Sequence, residues 1–253
     1  MMKDVQVCRL QARADFEEAH GHWTDELDHL LNLDPRYFAA YDRLLRVTKE
    51  RGALTDRERE LICIAVNAQV THFDSARTRH HIREALRAGA TRDDVNETLQ
   101  LAASLGVHSM LVGVPIAHRV FEGLGVAASV DAGGPRRAQL KQRFIDEKKY
   151  WSEHWDTVLA YTPEYFEAYL DLSGLAWTHG TLEDWFKELV YVAIDVVTTH
   201  LFTAGIEVHT AQAVRYGATP DQIIDVMTLA SEIGIDTTLM GASQLSAASG
   251  VDA

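Results

Sequence analysis

The chain has 253 residues and a mass of 28.2 kDa, 47% of them hydrophobic and 24% charged, so a substantial core can form in one large domain or two ordinary ones. A formal net charge of −13 speaks against a nucleic-acid partner, whose phosphates need clustered lysine and arginine. Two cysteines, Cys8 and Cys63, exclude a disulfide framework and a multi-thiolate metal centre.

The first twenty residues lack the continuous apolar segment of a secretion signal, and no window reaches the ~20 apolar residues of a membrane span. The expectation is a cytoplasmic protein with no membrane partner. Residues 10–32 read as one polar amphipathic helix. Asp34-Pro35 starts the next, since an N-cap carboxylate accepts free amide bonds and proline fits the first turn. Tyr37, Phe38, Tyr41, Leu44, Leu45 and Val47 give that helix an apolar stripe, which stops before Gly52. Thr55 with Glu58 three residues later is a capping-box pattern. Leu61, Ile64, Ala65 and Ala68 then share one helical face. Thr71 to Ser75 breaks the run, and the following helix ends at Gly89. Thr91 caps a further helix with Asp93 and Asp94 in its first turn, and a last run covers Val107 to Phe121. No stretch has the period-2 alternation of a strand, so the fold class is all-α.

The plan then repeats. Asp28–Ala117 aligns with Asp156–Leu245 at a constant offset of 128 without a gap, and 29 of the 90 pairs are identical. One register held that long is a tandem duplication. The domain expectation is a first repeat over 10–123, a small-residue linker over 124–137 and a second repeat over 138–247.

Within the repeats, Glu60 and Glu188 recur at the start of an apolar helix. Each shares a face with positions four and seven further on, Ile64 and Asn67 or Val192 and Asp195. A carboxylate at the edge of a buried stripe is desolvated and binds protons more tightly, which suits acid–base work, although a solvated first-turn charge has the same pattern. His72 and His200 follow threonine at the break, as proton carriers or as turn residues. His81 and His209 each share a face with a small residue and the terminal glycine, where helices approach closely. His108 and Asp236 occupy equivalent positions after Gly106 and Gly234 and either line the same site or sit at the surface.

Each copy resembles the carboxymuconolactone decarboxylase and alkylhydroperoxidase-D-like superfamily. The elements that carry the resemblance are Glu60-Leu61, His81, Ala85 and Gly89-Ala90-Thr91, with Glu188-Leu189, His209, Ala213 and Gly217-Ala218-Thr219 in the second copy. Gly113-Val114-Pro115 also matches, whereas Gly241-Ala242-Ser243 departs. The peroxidase branch has a Cys-x-x-Cys pair before the histidine. Those positions here are Asp74 and Arg77, then Phe202 and Gly205, so a thiol–disulfide mechanism has no sulfur to use. The Glu-to-His spacing of 21 in both copies is two longer than either branch leads one to expect.

The resemblance implies two tandem alkylhydroperoxidase-D-like helical bundles, assembled as a homotrimer that imitates a hexamer of single repeats. It implies a decarboxylase, or a related lyase or isomerase, acting on a small carboxylated lactone or oxo-acid from aromatic breakdown. No cofactor is needed in that reading. His81 and His209 stabilise developing negative charge, Glu60 and Glu188 deliver protons, and His72 and His200 orient the substrate or share the proton transfer. His108, Asp195 and Asp236 are candidate substrate contacts. Two other readings use the same residues: a metal enzyme with the Glu–His–His set as ligands, and a non-catalytic binding or assembly protein in which the set is a buried polar network.

Overall fold

The computed structural model describes residues 2–126 and 133–250, with nothing said of the side chains before Cys8. Fourteen α-helices and two 3-10 turns occur among the described residues, and no strand does. The first repeat comprises α1 (Met2–His20), α2 (Asp25–Leu33), α3 (Pro35–Arg51), α4 (Asp56–Ala68), α5 (Ser75–Arg87), α6 (Arg92–Ala103), a 3-10 turn (Ser104–Val107) and α7 (His108–Gly123). The second comprises α8 (Pro135–Lys148), α9 (His154–Tyr161), α10 (Pro163–Thr178), α11 (Asp184–Val196), α12 (Thr203–Arg215), α13 (Pro220–Ser231), a 3-10 turn (Glu232–Ile235) and α14 (Asp236–Ser249).

Most helix starts follow from local chemistry. The Asp34 carboxylate accepts from the amides of Arg36 and Tyr37, and Pro35 occupies the first turn of α3. Thr55 and Glu58 close a reciprocal capping box, as do Thr91 with Asp94 and Thr219 with Gln222. The expected single helix over 10–32 is two. Gly21 adopts φ +74°, which a glycine tolerates, and Thr24 caps α2 through the Leu27 amide ahead of the acidic first turn Asp25, Glu26 and Asp28. The expected linker over 124–137 is shortened at its end because α8 begins at Pro135; residues 127–132 lie outside the described residues.

The packing interleaves the repeats. A central core takes α4, α5 and α6 together with α11, α12 and α13, centred on Leu61, Ile62, Ile64, Leu189, Val190 and Val192, none of them exposed. Two aromatic clusters flank it. In one, Phe16, Leu27, Phe38 and Tyr41 of the first repeat close over Leu239 and Ala242 of α14. In the other, Phe144, Trp155, Phe166 and Leu170 of the second repeat close over Val107, with Met110 and Leu111 of α7 alongside. Each repeat therefore gives its last helix to the other. The Thr71 and Thr199 hydroxyls, 128 positions apart, lie 3.1 Å from each other, so the equivalent breaks of the two repeats meet.

Taken as one helical stretch, Arg92–Gly123 is long and apolar enough to cross a membrane, with a mean hydropathy of 1.5 in its best window. It is divided by the 3-10 turn at Ser104–Val107, α6 contributes Val95 and Leu101 to the central core, and α7 packs on α9.

The exchange predicts that a truncation in α14 harms the N-terminal unit. Leu239→Ala should cost about 2–5 kcal/mol of unfolding free energy. Denaturant titration followed by Trp23 fluorescence measures it; an unchanged midpoint would refute the exchange.

Candidate active site

The second repeat builds its polar cluster on α11 and α12. Every residue from Phe186 to Asp195 is buried, so α11 is a central helix in which the carboxylates of Glu188 and Asp195 have almost no exposed surface. Burying a carboxylate requires a partner. For Glu188 it is His209 on α12, whose Nδ1 donates to Glu188 Oε2 over 2.6 Å. The break between the helices makes this possible. Leu201 takes φ +48°, its amide and that of His200 bond the Val197 carbonyl, and the Phe202 amide bonds the Asp195 carbonyl at 2.9 Å. The chain thus folds back within six residues, and α12 runs against α11.

Asp195 is different. Neither carboxylate oxygen has a hydrogen-bond partner among the described residues, although both are buried. Oδ1 stands 3.6 Å from His108 Nε2 and Oδ2 stands 4.0 Å from His209 Nε2, beyond hydrogen-bonding reach. His108 enters from the first repeat, where α7 begins, so the cluster combines residues of both repeats. Its Nδ1 shares a 2.7 Å hydrogen bond with His200 Nε2, and its ring stacks on Phe202. Glycine at 205 makes room for Asp195: a Cβ there would stand 2.0 Å from Asp195 Oδ2.

The electrostatics follow from burial and pairing. Burial alone would lower the His209 pKa, but the charge and hydrogen bond of Glu188, with Asp195 beyond, hold it above the ordinary value. Burial pushes Asp195 up to about 7, against the pull of His209 and with the help of Glu188. Burial, with His200 and His209 nearby, pushes His108 down to about 3, and burial lowers His200 as well. The group thus combines a histidine, His209, that holds its proton more tightly than usual, two histidines that hold theirs less tightly, and a carboxyl, Asp195, that can carry a proton near neutrality.

These side chains border a cavity of about 70 Å³. His108, Asp195, Phe202, Gly205 and His209 line it, together with Lys148, Tyr150, Ser173 and Tyr191. A single water needs ~10–15 Å³ by the same measure, so the space accepts a small organic molecule.

The first repeat keeps the pair and fills the gap. His81 Nδ1 bonds Glu60 Oε2 at 2.8 Å, and although burial would raise the Glu60 carboxyl, His81 and Arg59 hold it below its usual range. Asn67 replaces Asp195, and its amide turns back onto the Cys63 carbonyl of its own helix at 2.8 Å. Arg77 replaces Gly205 and pairs with Asp236 and Asp74, and His72 Nε2 stands 3.2 Å from Asp236. The rings of His22 and His80 lie 4.2 Å apart, tilted at 49°, where the second repeat has Tyr150 and Val208. Burial raises Asp236, against Arg77 and His72.

The structure thus brings Glu188, His209, Asp195, His108 and His200 together, and separately Glu60 with His81 and His72 with Asp236. Among the described residues, two triads have ligand atoms within 4.8 Å of one another and could hold a metal: His108, Asp195 and His200, and His72, Asp74 and Asp236. Only His200 and His72 belong to the Glu–His–His sets read from the sequence. Lys148 was missed by sequence reasoning. Its signal was there: Lys148 and His20 are both ionisable at one register, three residues before Trp151 and Trp23.

The Carboxymuconolactone decarboxylase family profile matches residues 35–118 and 163–247. A solved structure from Burkholderia xenovorans LB400, provisionally described as a gamma-carboxymuconolactone decarboxylase subunit, is 34% identical in sequence. It superposes with a TM-score of 0.91 over 95% of this chain and 96% of that one. No functionally curated protein matches the chain.

Because the folded-state pKa of Asp195 lies above its unfolded value, the folded protein holds an extra proton between about pH 4 and pH 7. That contribution is fully present below about pH 4 and is lost as pH rises through about 7. Asp195→Asn, which installs the residue type of the first repeat, should therefore stabilise the protein at about pH 8 by up to about 4 kcal/mol and have little effect near pH 4. Urea unfolding at the two pH values measures this, and an equal effect at both would contradict the assignment.

Proposed function

For a chain that belongs to the carboxymuconolactone decarboxylase family, we propose a lyase that removes carbon dioxide from a small carboxylated lactone or oxo-acid in the cavity of the second repeat. The observation that carries the reading is the unpartnered, protonatable Asp195 beside the Glu188–His209 pair in a cavity large enough for a small molecule.

Loss of carbon dioxide beside a carbonyl leaves an electron pair that delocalises as an enolate, and then needs a proton on carbon. The His209 imidazolium, held charged by Glu188, stabilises the oxyanion through Nε2. Asp195 in its protonated form delivers the proton. This changes the roles expected from the sequence. Glu188 is wholly buried and committed to His209 Nδ1, so it sets the charge of the histidine and does not reach the substrate. The bond between His108 and His200 fixes the facing wall. In the first repeat Arg77 occupies the place that Gly205 leaves open, so Glu60 and His81 support the fold in this reading.

A screen of carboxylated lactones and oxo-acids for carbon dioxide release tests the proposal. His209→Ala should lower kcat by ~10²–10⁴-fold, while His81→Ala should stay within a few-fold of the native rate. Equal losses in the two variants would show that the repeats work alike and would remove the asymmetry.

A second reading is favoured by the His108–Asp195–His200 triad, whose two orphaned carboxylate oxygens would suit a divalent transition-metal ion. Its counterpart in the first repeat already has the Arg77 guanidinium on Asp74 and Asp236. We expect carbon dioxide release to survive dialysis against a chelator. Loss of activity, restored by about one zinc ion per chain, would move the function to the metal reading.

A further inference from the structure

Lys148 has no part in the acid–base steps above, yet it lines the same cavity. It ends α8, is 5% exposed, and its Nζ donates to one acceptor, the Ser173 backbone carbonyl, at 3.1 Å. No carboxylate lies within ion-pairing distance of Nζ among the described residues. The ammonium instead rests on the face of Trp177 at 4.8 Å, and a second lysine, Lys187, rests on the same ring at 5.3 Å. The two are not equivalent. Lys187 has carboxylate partners, Glu97 at 3.6 Å and Asp184 at 3.3 Å. Lys148 has no carboxylate in contact, and Glu188 and Glu147 act on it from a distance. Burial brings its pKa down to about 7 against the pull of Glu188 and Glu147, with a smaller contribution from Lys187.

A buried lysine used to anchor an anion has to remain charged. The Trp177 face and the nearby carboxylates favour the ammonium, but burial outweighs them, so that near neutrality a substantial fraction of Lys148 is the neutral amine, a nucleophile lining the cavity. We propose that Lys148 forms an iminium with the ketone carbonyl of the substrate, so that the substrate is a 3-oxo acid and not a lactone. This rests on the decarboxylase reading of the same cavity. The neutral amine adds to the ketone carbon, and the carbinolamine loses its oxygen as water to give the iminium. The bond between the α-carbon and the carboxylate then breaks, and its electron pair moves into the iminium to give an enamine and carbon dioxide. Asp195 donates a proton to the α-carbon, restoring an iminium. Water adds to it, the ketone product leaves, and the amine is regenerated. The carbonyl must be on the carbon next to the one bearing the carboxylate, because only there can the nitrogen accept the electron pair. A lactone carbonyl would be opened to an amide instead.

The test uses the full-length chain and two probes. The first is 2,4-pentanedione, which condenses with a neutral lysine to a stable conjugated enamine whatever the natural substrate is. The second is 3-oxobutanoate with borohydride, which reduces an iminium to a secondary amine. The expected result is one adduct per chain, located on the peptide that carries Lys148. Its formation should be half-maximal near pH 7, the neutral amine reacting above its pKa. Lys148→Arg keeps a cation but cannot form the iminium, and should lower carbon dioxide release from 3-oxo acids by ~100-fold or more. No adduct on Lys148 with either probe overturns the proposal, and so does a Lys148→Arg protein that keeps its activity. If that variant melts early, peptide mapping of the native chain decides. An adduct on Lys148 without carbon dioxide release from any 3-oxo acid would leave the nucleophile standing and remove the decarboxylase reading.

Discussion

A carboxylate with no exposure to water costs several kcal/mol unless a partner offsets its lost hydration, and Glu188 is such a carboxylate in the middle of the central helix α11. Its partner His209 lies 21 residues further on, so the chain has to turn back over a short break and lay α12 against α11. That turn is a backbone structure. The amides of Leu201 and Phe202 bond carbonyls at the end of α11, as those of Phe73 and Asp74 bond Gln69 and Asn67 at the end of α4. Phe73 and Leu201 take left-handed φ values of 53° and 48°, which a non-glycine residue adopts only when its surroundings compel it. The same break thus serves both repeats and holds their Glu–His pairs in one geometry.

With the break geometry held in common, the two clusters differ in the side chains set around it. The first fills the space that Gly205 leaves open in the second: Arg77 bridges Asp74 and Asp236 and the Asn67 amide bonds its own helix, while Asn67 Oδ1, His72 Nε2 and Glu232 Oε1 are buried without a hydrogen-bond partner among the described residues. The second leaves Asp195 without a partner over a cavity and Lys148 without a counterion. Each unsatisfied buried group lowers stability by ~1–3 kcal/mol or more. Unpaired polar groups that line a cavity mark a place where stability is given up for a ligand.

The fold class, the duplication and the Glu–His pairs were legible in the sequence because each has a periodic signature: helical spacing of apolar residues, and a register of 128 that returns Glu60, Thr71, His72 and His81 as Glu188, Thr199, His200 and His209. His108 and Asp236 were legible as a divergent pair, and they do face the clusters of the opposite repeat. The exchange of last helices was not, since Leu239 and Leu111 are ordinary apolar stripe residues and nothing local says which repeat's core they join. The break between α1 and α2 was hidden by an amphipathic pattern that runs through it. Lys148 was hidden by its own kind, because an exposed helix-end lysine is the commonest reading of such a residue and only its burial makes it unusual.

The exchange of helices also explains how one chain can hold two unlike clusters. Each cluster draws its Glu–His pair from one repeat and its facing residue, His108 or Asp236, from the other. Two identical chains arranged this way would have two identical clusters, and any change that opened one cavity would open both. Within a single chain the constraint is lifted. Aspartate at 236 could come to match Arg77, and histidine at 108 could come to match His200, without either change appearing on the opposite side. A filled first cluster then supports the shared core, while the second is free to keep an open cavity with an unpaired acid and an unpaired amine on its walls.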